Sequence, residues 1–237
     1  MKKLLFYTQN LETGGLQKVF SAVARAASER YEVYVVLAED HRPIKQKIPE
    51  NVKIHTIKTI PVDVSSNDAG EKLLAYRTAE LTRFLEEIQP DVAFSFGEYP
   101  NAQLLMSRYE CRKIVSLRAS FESMKAKNIH LLPYERYAEI MEKFYPKASS
   151  IITVTDFIAD ELISAVPECE SKTVTIHNGI HRKPAASASD AFGRYILNIG
   201  RLHPQKGQAD LSDAFIKIAP EIPHNLVIAG NGELKDM

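Results

Sequence analysis

Arg201 and Lys206 are two fixed cations at a turn, within the stretch Tyr195–Gly207 that reads YILNIGRLHPQKG. Tyr195–Ile199 is a short apolar run with β propensity, and Gly200 ends it. From Gln205 the spacing becomes helical, with Leu211, Ala214, Phe215 and Ile218 on one stripe. The pattern predicts a strand, a tight turn and a helix start. In an open α/β sheet such a turn lies at the carboxyl end of the strand, where ligands bind. Two cations beside a helix N-terminus suit an anion of more than one charge, such as a diphosphate. An ordinary βα turn with a solvated Arg and Lys has the same spacing.

Four further places carry chemistry at predicted strand ends. Gly14-Gly15 falls between the first strand and its helix, where a side-chain-free backbone admits an anion to the first helical amides. It is neither a G-x-G-x-x-G fingerprint nor a P-loop, and a plain tight turn fits it equally. Arg118 follows the strand at Lys113–Leu117 and could meet a phosphate or a sugar hydroxyl, with Glu98 at the end of the preceding strand; a surface ion pair is the plainer reading. Asn178, in His177-Asn178-Gly179, either lines a cleft or caps a turn. Gly230-Asn231-Gly232 is a turn signal after the last strand.

The elements that must position these residues read as alternating strands and helices. Strands are predicted at Leu4–Tyr7, Tyr31–Ala38, Val52–Lys58, Asp91–Phe96, Lys113–Leu117, Ile151–Val154, Lys172–Ile176, Tyr195–Ile199 and Asn225–Ala229. Leu16, Val19, Phe20, Val23, Ala24 and Ala27 mark an amphipathic first helix. Leu74 to Ile88 form a long helix that stops before Pro90. Tyr134, Tyr137, Ala138, Met141, Phe144 and Tyr145 share one helical face, and Ile158, Leu162 and Val166 suggest another helix. This order predicts a doubly wound parallel sheet covered on both faces, a Rossmann-like first domain over 1–180. Residues 181–193, HRKPAASASDAFG, read as a linker. Residues 194–237 hold one βαβ unit, which cannot cover its own sheet and is near the size where unaided domains fail, about 40 residues. The expectation is the start of a second Rossmann-like domain in a truncated chain; the rival is a natural short chain whose βαβ unit docks on the first domain.

Lys and Arg total 30 against 30 Asp and Glu, so the basic excess of a nucleic-acid binder is absent. The two cysteines, Cys111 and Cys169, have neither metal-ligand nor disulfide-framework spacing, which fits a reducing cytoplasmic setting. The apolar patch in MKKLLFYTQN is too short for a signal peptide. Residues 124–145 mix Lys125, Lys127, His130, Arg136 and Lys143 with aromatics, which allows peripheral contact with an anionic membrane. Glu122, Glu135, Glu139 and Glu142 dilute that charge. There is no D-x-D pair, and no zinc, serine-hydrolase or thiol motif.

Taken in order, the glycine pair, N-G before the linker, Gly200-Arg201 with Gln205-Lys206-Gly207 after it, and G-x-G one strand later resemble glycosyltransferase family 4, of GT-B architecture. His177 stands where the family usually has proline. The resemblance implies a retaining transferase that moves a sugar from a nucleotide-diphosphate sugar, a UDP-sugar first, to a glycan, lipid-linked or other acceptor. It implies no cofactor and no metal. It also implies that Arg201 and Lys206 hold the donor diphosphate and carry catalysis, with Gly14 and Gly15 facing that diphosphate across a cleft. Gly230 and Gly232 would approach the nucleotide, and Arg118, Glu98 and Asn178 the acceptor. The family's glutamate pair, E-x(7)-E, would lie beyond Met237, so this chain is expected to be nearly inactive alone. The expected location is the cytoplasm or the inner face of the membrane. A non-catalytic glycan-binding or partner-binding module would bind without nucleotide affinity, and release of nucleotide only when acceptor is present would separate the transferase from a nucleotide-sugar epimerase.

Overall fold

A computed structural model describes residues 1–63, 65–125, 132–179 and 190–235. The chain divides into two compact units, Met1–Ile180 and His181–Met237. In the first, strands β1 (Lys3–Thr8), β2 (Glu32–Leu37), β3 (Lys53–Thr56), β4 (Val92–Phe96), β5 (Arg112–Leu117), β6 (Ser150–Thr153) and β7 (Thr173–Thr175) alternate with helices. The helices are α1 (Gly15–Ser28), α2 (Ala69–Ile88), α3 (Glu98–Met106), α4 (Phe121–Lys125), α5 (Tyr134–Phe144) and α6 (Asp156–Ala165). The sheet order is β3-β2-β1-β4-β5-β6-β7, and every pairing is parallel. Connections run outward from β1 on one side and from β4 on the other. The carboxyl ends of β1 and β4 therefore flank the switch point where open α/β sheets take ligands.

The strand period of two sends alternate residues to two cores. Leu5, Tyr7, Tyr34 and Val36 join the core covered by α2, α3 and α5. Phe6, Val33, Val35 and Leu37 join the other, with Phe20 and Ala24 from α1. Phe20 meets Phe96 edge-on, ring centroids 5.1 Å apart, and Phe6 at 6.0 Å. This aromatic packing fixes α1 against the two strands whose ends flank the switch point.

The predicted strands and the long helices are present. Helix α3 has no counterpart in the periodicity, because seven of its nine residues are buried, Pro100, Asn101 and Gln103 among them. A helix covered all round shows no amphipathic stripe. Helix α2 stops as predicted, with Gln89 in the left-handed region at φ 52° just before Pro90.

The second unit contains β8 (Tyr195–Ile199), α7 (Gln208–Ile218) and β9 (Asn225–Ala229), with β8 parallel to β9 in a two-stranded sheet. Helix α7 starts at Gln208, not at Gln205. Pro204–Lys206 form a separate 3₁₀ turn, and Gly207 at φ 62° breaks the path between the two. Of the stretch expected to be a linker, residues 181–189 lie outside the described residues. Asp190–Phe192 form a 3₁₀ turn belonging to the second unit, since the Phe192 carbonyl accepts the Asn225 side-chain amide at 2.9 Å.

Candidate functional site

Helix α1 opens at the switch point. Gly14 is its N-cap, no side chain caps it, and its first turn carries no acidic residue. A Cβ added at Gly15 would meet nothing within 4 Å, so the fold itself makes no demand for glycine there. At Gly14 a Cβ would stand 2.1 Å from Gln17 Oε1, so that glycine leaves room for a folded-back side chain. The outcome is an uncapped helix N-terminus with an open face, suited to an anion.

Arg118, Glu98 and Asn178 form a second cluster in the same unit. Glu98 opens α3, behind Gly97 at φ 99°. Its Oε1 accepts the backbone amides of Arg118 and Ala119, both at 2.9 Å. The Arg118 guanidinium does not pair with Glu98 in a salt bridge; its Nη2 donates to Asn178 Oδ1 at 2.6 Å. Burial pulls the Arg118 pKa below its ordinary value, and the Glu98 charge offsets part of that. His177 lies close to the Val154 carbonyl, its Nδ1 2.9 Å away, a bond that a proline at 177 would not make. Beneath Glu98, Tyr137 donates to its carbonyl at 3.0 Å and meets the Tyr145 hydroxyl at 2.7 Å. Arg118 and Glu98, paired in the sequence reading, and Asn178, read apart from them, thus share one hydrogen-bonded group.

In the second unit, Arg201 and Lys206 are exposed, and among the described residues neither side chain makes a hydrogen bond or ion pair. The turn that carries them is braced by Gln208, which is buried. Its Nε2 donates to the Arg201 carbonyl at 3.0 Å, and its Oε1 accepts the His203 amide at 3.4 Å. His203 in turn accepts the Gln205 amide at 3.1 Å. Gln208 was invisible as a site residue in the sequence, because a helix-leading glutamine is commonplace. Gly230 and Gly232 face this same turn. A Cβ would stand 1.9 Å from the Gly200 carbonyl oxygen at the first and 2.1 Å from that of Leu202 at the second. Packing of two neighbouring turns is therefore sufficient reason for both glycines.

The helical face considered for membrane contact is electrically mixed. Arg136 is held by Glu71 at 2.5 Å and Glu139 at 2.7 Å, and Lys125 and Lys143 lie over aromatic rings. Lys127 and His130 fall outside the described residues. A cavity of about 470 Å³ on this face is lined by Lys125 and by Glu135, Glu139 and Glu142. No helix among the described residues is long and apolar enough to cross a membrane. Among them, too, no group of three or more His, Cys, Asp or Glu could hold a metal ion.

Residues 13–183, more than half the chain, match the family model for Glycosyltransferase Family 4. The chain belongs to Glycosyltransferase Family 4. It is 25% identical over 249 residues to the N-acetylgalactosamine-N,N'-diacetylbacillosaminyl-diphospho-undecaprenol 4-alpha-N-acetylgalactosaminyltransferase of Campylobacter jejuni, covering 100% of this chain and 64% of that protein. Among solved structures, the lipopolysaccharide outer core galactosyltransferase WaaB is similar at TM-score 0.66 and 16% identity, over 99% of this chain and 62% of its own. Anabaena Alr3699/HepE, in complex with UDP and glucose, is similar at 0.66 and 17% identity, over 98% and 62%. Sucrose-phosphate synthase from Thermosynechococcus elongatus is similar at 0.71 and 12% identity, over 97% and 62%. The fold of this family-4 chain is thus that of the GT-B glycosyltransferases, and the chain spans less than two thirds of the length of these relatives.

Proposed function

We propose that this family-4 chain belongs to a transferase that moves a sugar from a nucleotide-diphosphate sugar to a lipid-linked glycan, with retention at the anomeric carbon. The observation that carries the reading is the pair of uncommitted cations, Arg201 and Lys206, on a turn braced from inside by Gln208. Residues 1–180 form the acceptor-side domain, and 194–237 begin the donor-binding domain. As the glycosidic bond breaks, negative charge grows on the departing nucleoside diphosphate. Arg201 and Lys206 stabilise that charge, and the amides at Gly15 are diphosphate donors of the same kind. Gly230 and Gly232 bring the backbone of their turn to the nucleotide. Arg118, Glu98 and Asn178 take hydroxyls of the acceptor sugar: a fixed carboxylate, a cation and an amide suit a polyol. UDP is the donor nucleotide we favour, in line with the UDP complex of HepE. A lipid-linked acceptor, named for the Campylobacter relative, would call for peripheral contact with a membrane.

Calorimetric titration with UDP and a sugar-transfer assay on the complete protein test this. Arg201→Ala and Lys206→Ala should each lower turnover by about 10²–10³-fold, the cost of losing one charge-stabilising donor. Unchanged turnover in both variants refutes the diphosphate role.

A further inference from the structure

The loop between β1 and α1 is held by a carboxylate from the segment that follows β2. Glu39 follows β2 and is only 8% exposed. Its Oε1 accepts from Gln9 Nε2 at 2.6 Å, and its Oε2 accepts from Asn10 Nδ2 at 3.0 Å. Asn10 passes the constraint on. Its Oδ1 accepts the Glu12 amide at 3.3 Å and Gln17 Nε2 at 3.3 Å. Gln17 lies in the first turn of α1, and its Oε1 occupies the space that the missing side chain of Gly14 leaves free. Behind the carboxylate stands Arg77 of α2, 4% exposed, whose Nη2 reaches Glu39 Oε1 at 3.5 Å. Backbone bonds from Ala38 to the Thr8 carbonyl and from Glu39 to the Gln9 carbonyl, 3.0 and 3.1 Å, close the seam.

We infer that Glu39 is a positioning residue: through Asn10 and Gln17 it fixes the glycine turn at which α1 presents its uncapped amides to an anion. The inference rests on the reading of Gly15 as a diphosphate contact. Its physical basis is separate from that reading. A buried carboxylate held by Arg77, and approached by Arg42 Nε at 3.9 Å, is pinned in place, so the side chains that bind it inherit its fixed position. Preorganised donors must not have to reorient when charge arrives, and a displacement of about 1 Å costs on the order of a hundredfold in rate. Gly14 and Gly15 then serve different ends, the first making room for Gln17 and the second for the ligand.

Hydrogen exchange on the ligand-free protein, with calorimetric titration of UDP and of inorganic pyrophosphate, decides it. In Glu39→Gln and in Asn10→Ala, amides 10–17 should exchange at least about tenfold faster, with β4 and β5 unchanged. Affinity for UDP should fall about tenfold in both. Asn10→Ala leaves the Arg77–Glu39 pair intact, so it remains informative if Glu39→Gln fails to fold. Wild-type exchange over 10–17 in Asn10→Ala overturns the inference whatever happens to binding. Weaker UDP binding in Gly15→Ala, with wild-type binding in Asn10→Ala, also overturns it while leaving Gly15 its role. Faster exchange with no binding of UDP or pyrophosphate by the unaltered protein supports Glu39 as the holder of the turn and refutes the diphosphate reading.

Discussion

At Gly230 an added Cβ would stand 1.9 Å from the Gly200 carbonyl oxygen, whereas at Gly15 it would meet nothing within 4 Å. Both glycines follow a parallel strand, and in the sequence they look alike. One is demanded by the chain's own backbone. The other answers no steric need within the fold, which leaves its backbone open to the donor contact proposed above. The same contrast separates the arginines. Arg77 and Arg136 are committed to carboxylates, while Arg201 is committed to nothing among the described residues. Residue type marks a candidate; the use already made of it within the fold decides what remains for a ligand.

Two measurements would break or sharpen that contrast, and a third tests how firmly the first unit is buried. The largest effect is expected at Gly230→Ala. A methyl group driven into a backbone carbonyl has no flexible neighbour to displace, so the second unit should lose about 3 kcal/mol or more. Hydrogen exchange of the β8 and β9 amides should reveal it, and protected strands in that variant would mean the two turns do not need their close approach. Gly15→Ala should do the reverse. It adds helix propensity without a clash, so thermal stability should hold or rise by up to about 1 kcal/mol, while UDP affinity falls about tenfold. A variant both destabilised and unimpaired in binding would make Gly15 another packing glycine. The smallest effect is confined to the first unit. Burial pushes the Cys169 thiol from 9.0 to about 11, so the folded chain keeps a proton that the unfolded chain releases. Its contribution is complete below about pH 9 and declines as the pH rises from 9.0 toward about 11. Urea titrations across that range, with Cys169→Ala as the control, should show the decline lost in the variant.

Much of the fold could be read from spacing. Short apolar runs with β propensity marked the strands, and Leu16 through Ala27 marked α1 by a clean helical stripe. Helix α3 escaped because its polar residues are used inside: Gln103 accepts from the Tyr7 hydroxyl at 2.6 Å, and Asn101 Oδ1 accepts from Ser95 at 2.7 Å. A helix whose interior face carries amides cannot be told from a loop by hydropathy. The start of α7 was misplaced because Gly207 can take φ 62° and uncouple a 3₁₀ turn from the helix behind it. At the candidate site, Arg201, Lys206, Gly15, Arg118 and Asn178 could be named from the residues that follow strands. Their supports could not. Glu39 with Arg77, and Gln208 under Arg201, are pairings set by tertiary approach, and nothing in local periodicity signals them.

The β8–β9 ribbon has a practical consequence. Neither strand has a second neighbour among the described residues, and Ile196, Leu197 and Ile199 along β8 are 41, 46 and 75% exposed. Open strand edges bearing greasy side chains invite other strands to zip alongside them. A sample of this chain should therefore self-associate as it is concentrated, and sedimentation at several dilutions belongs ahead of any binding curve.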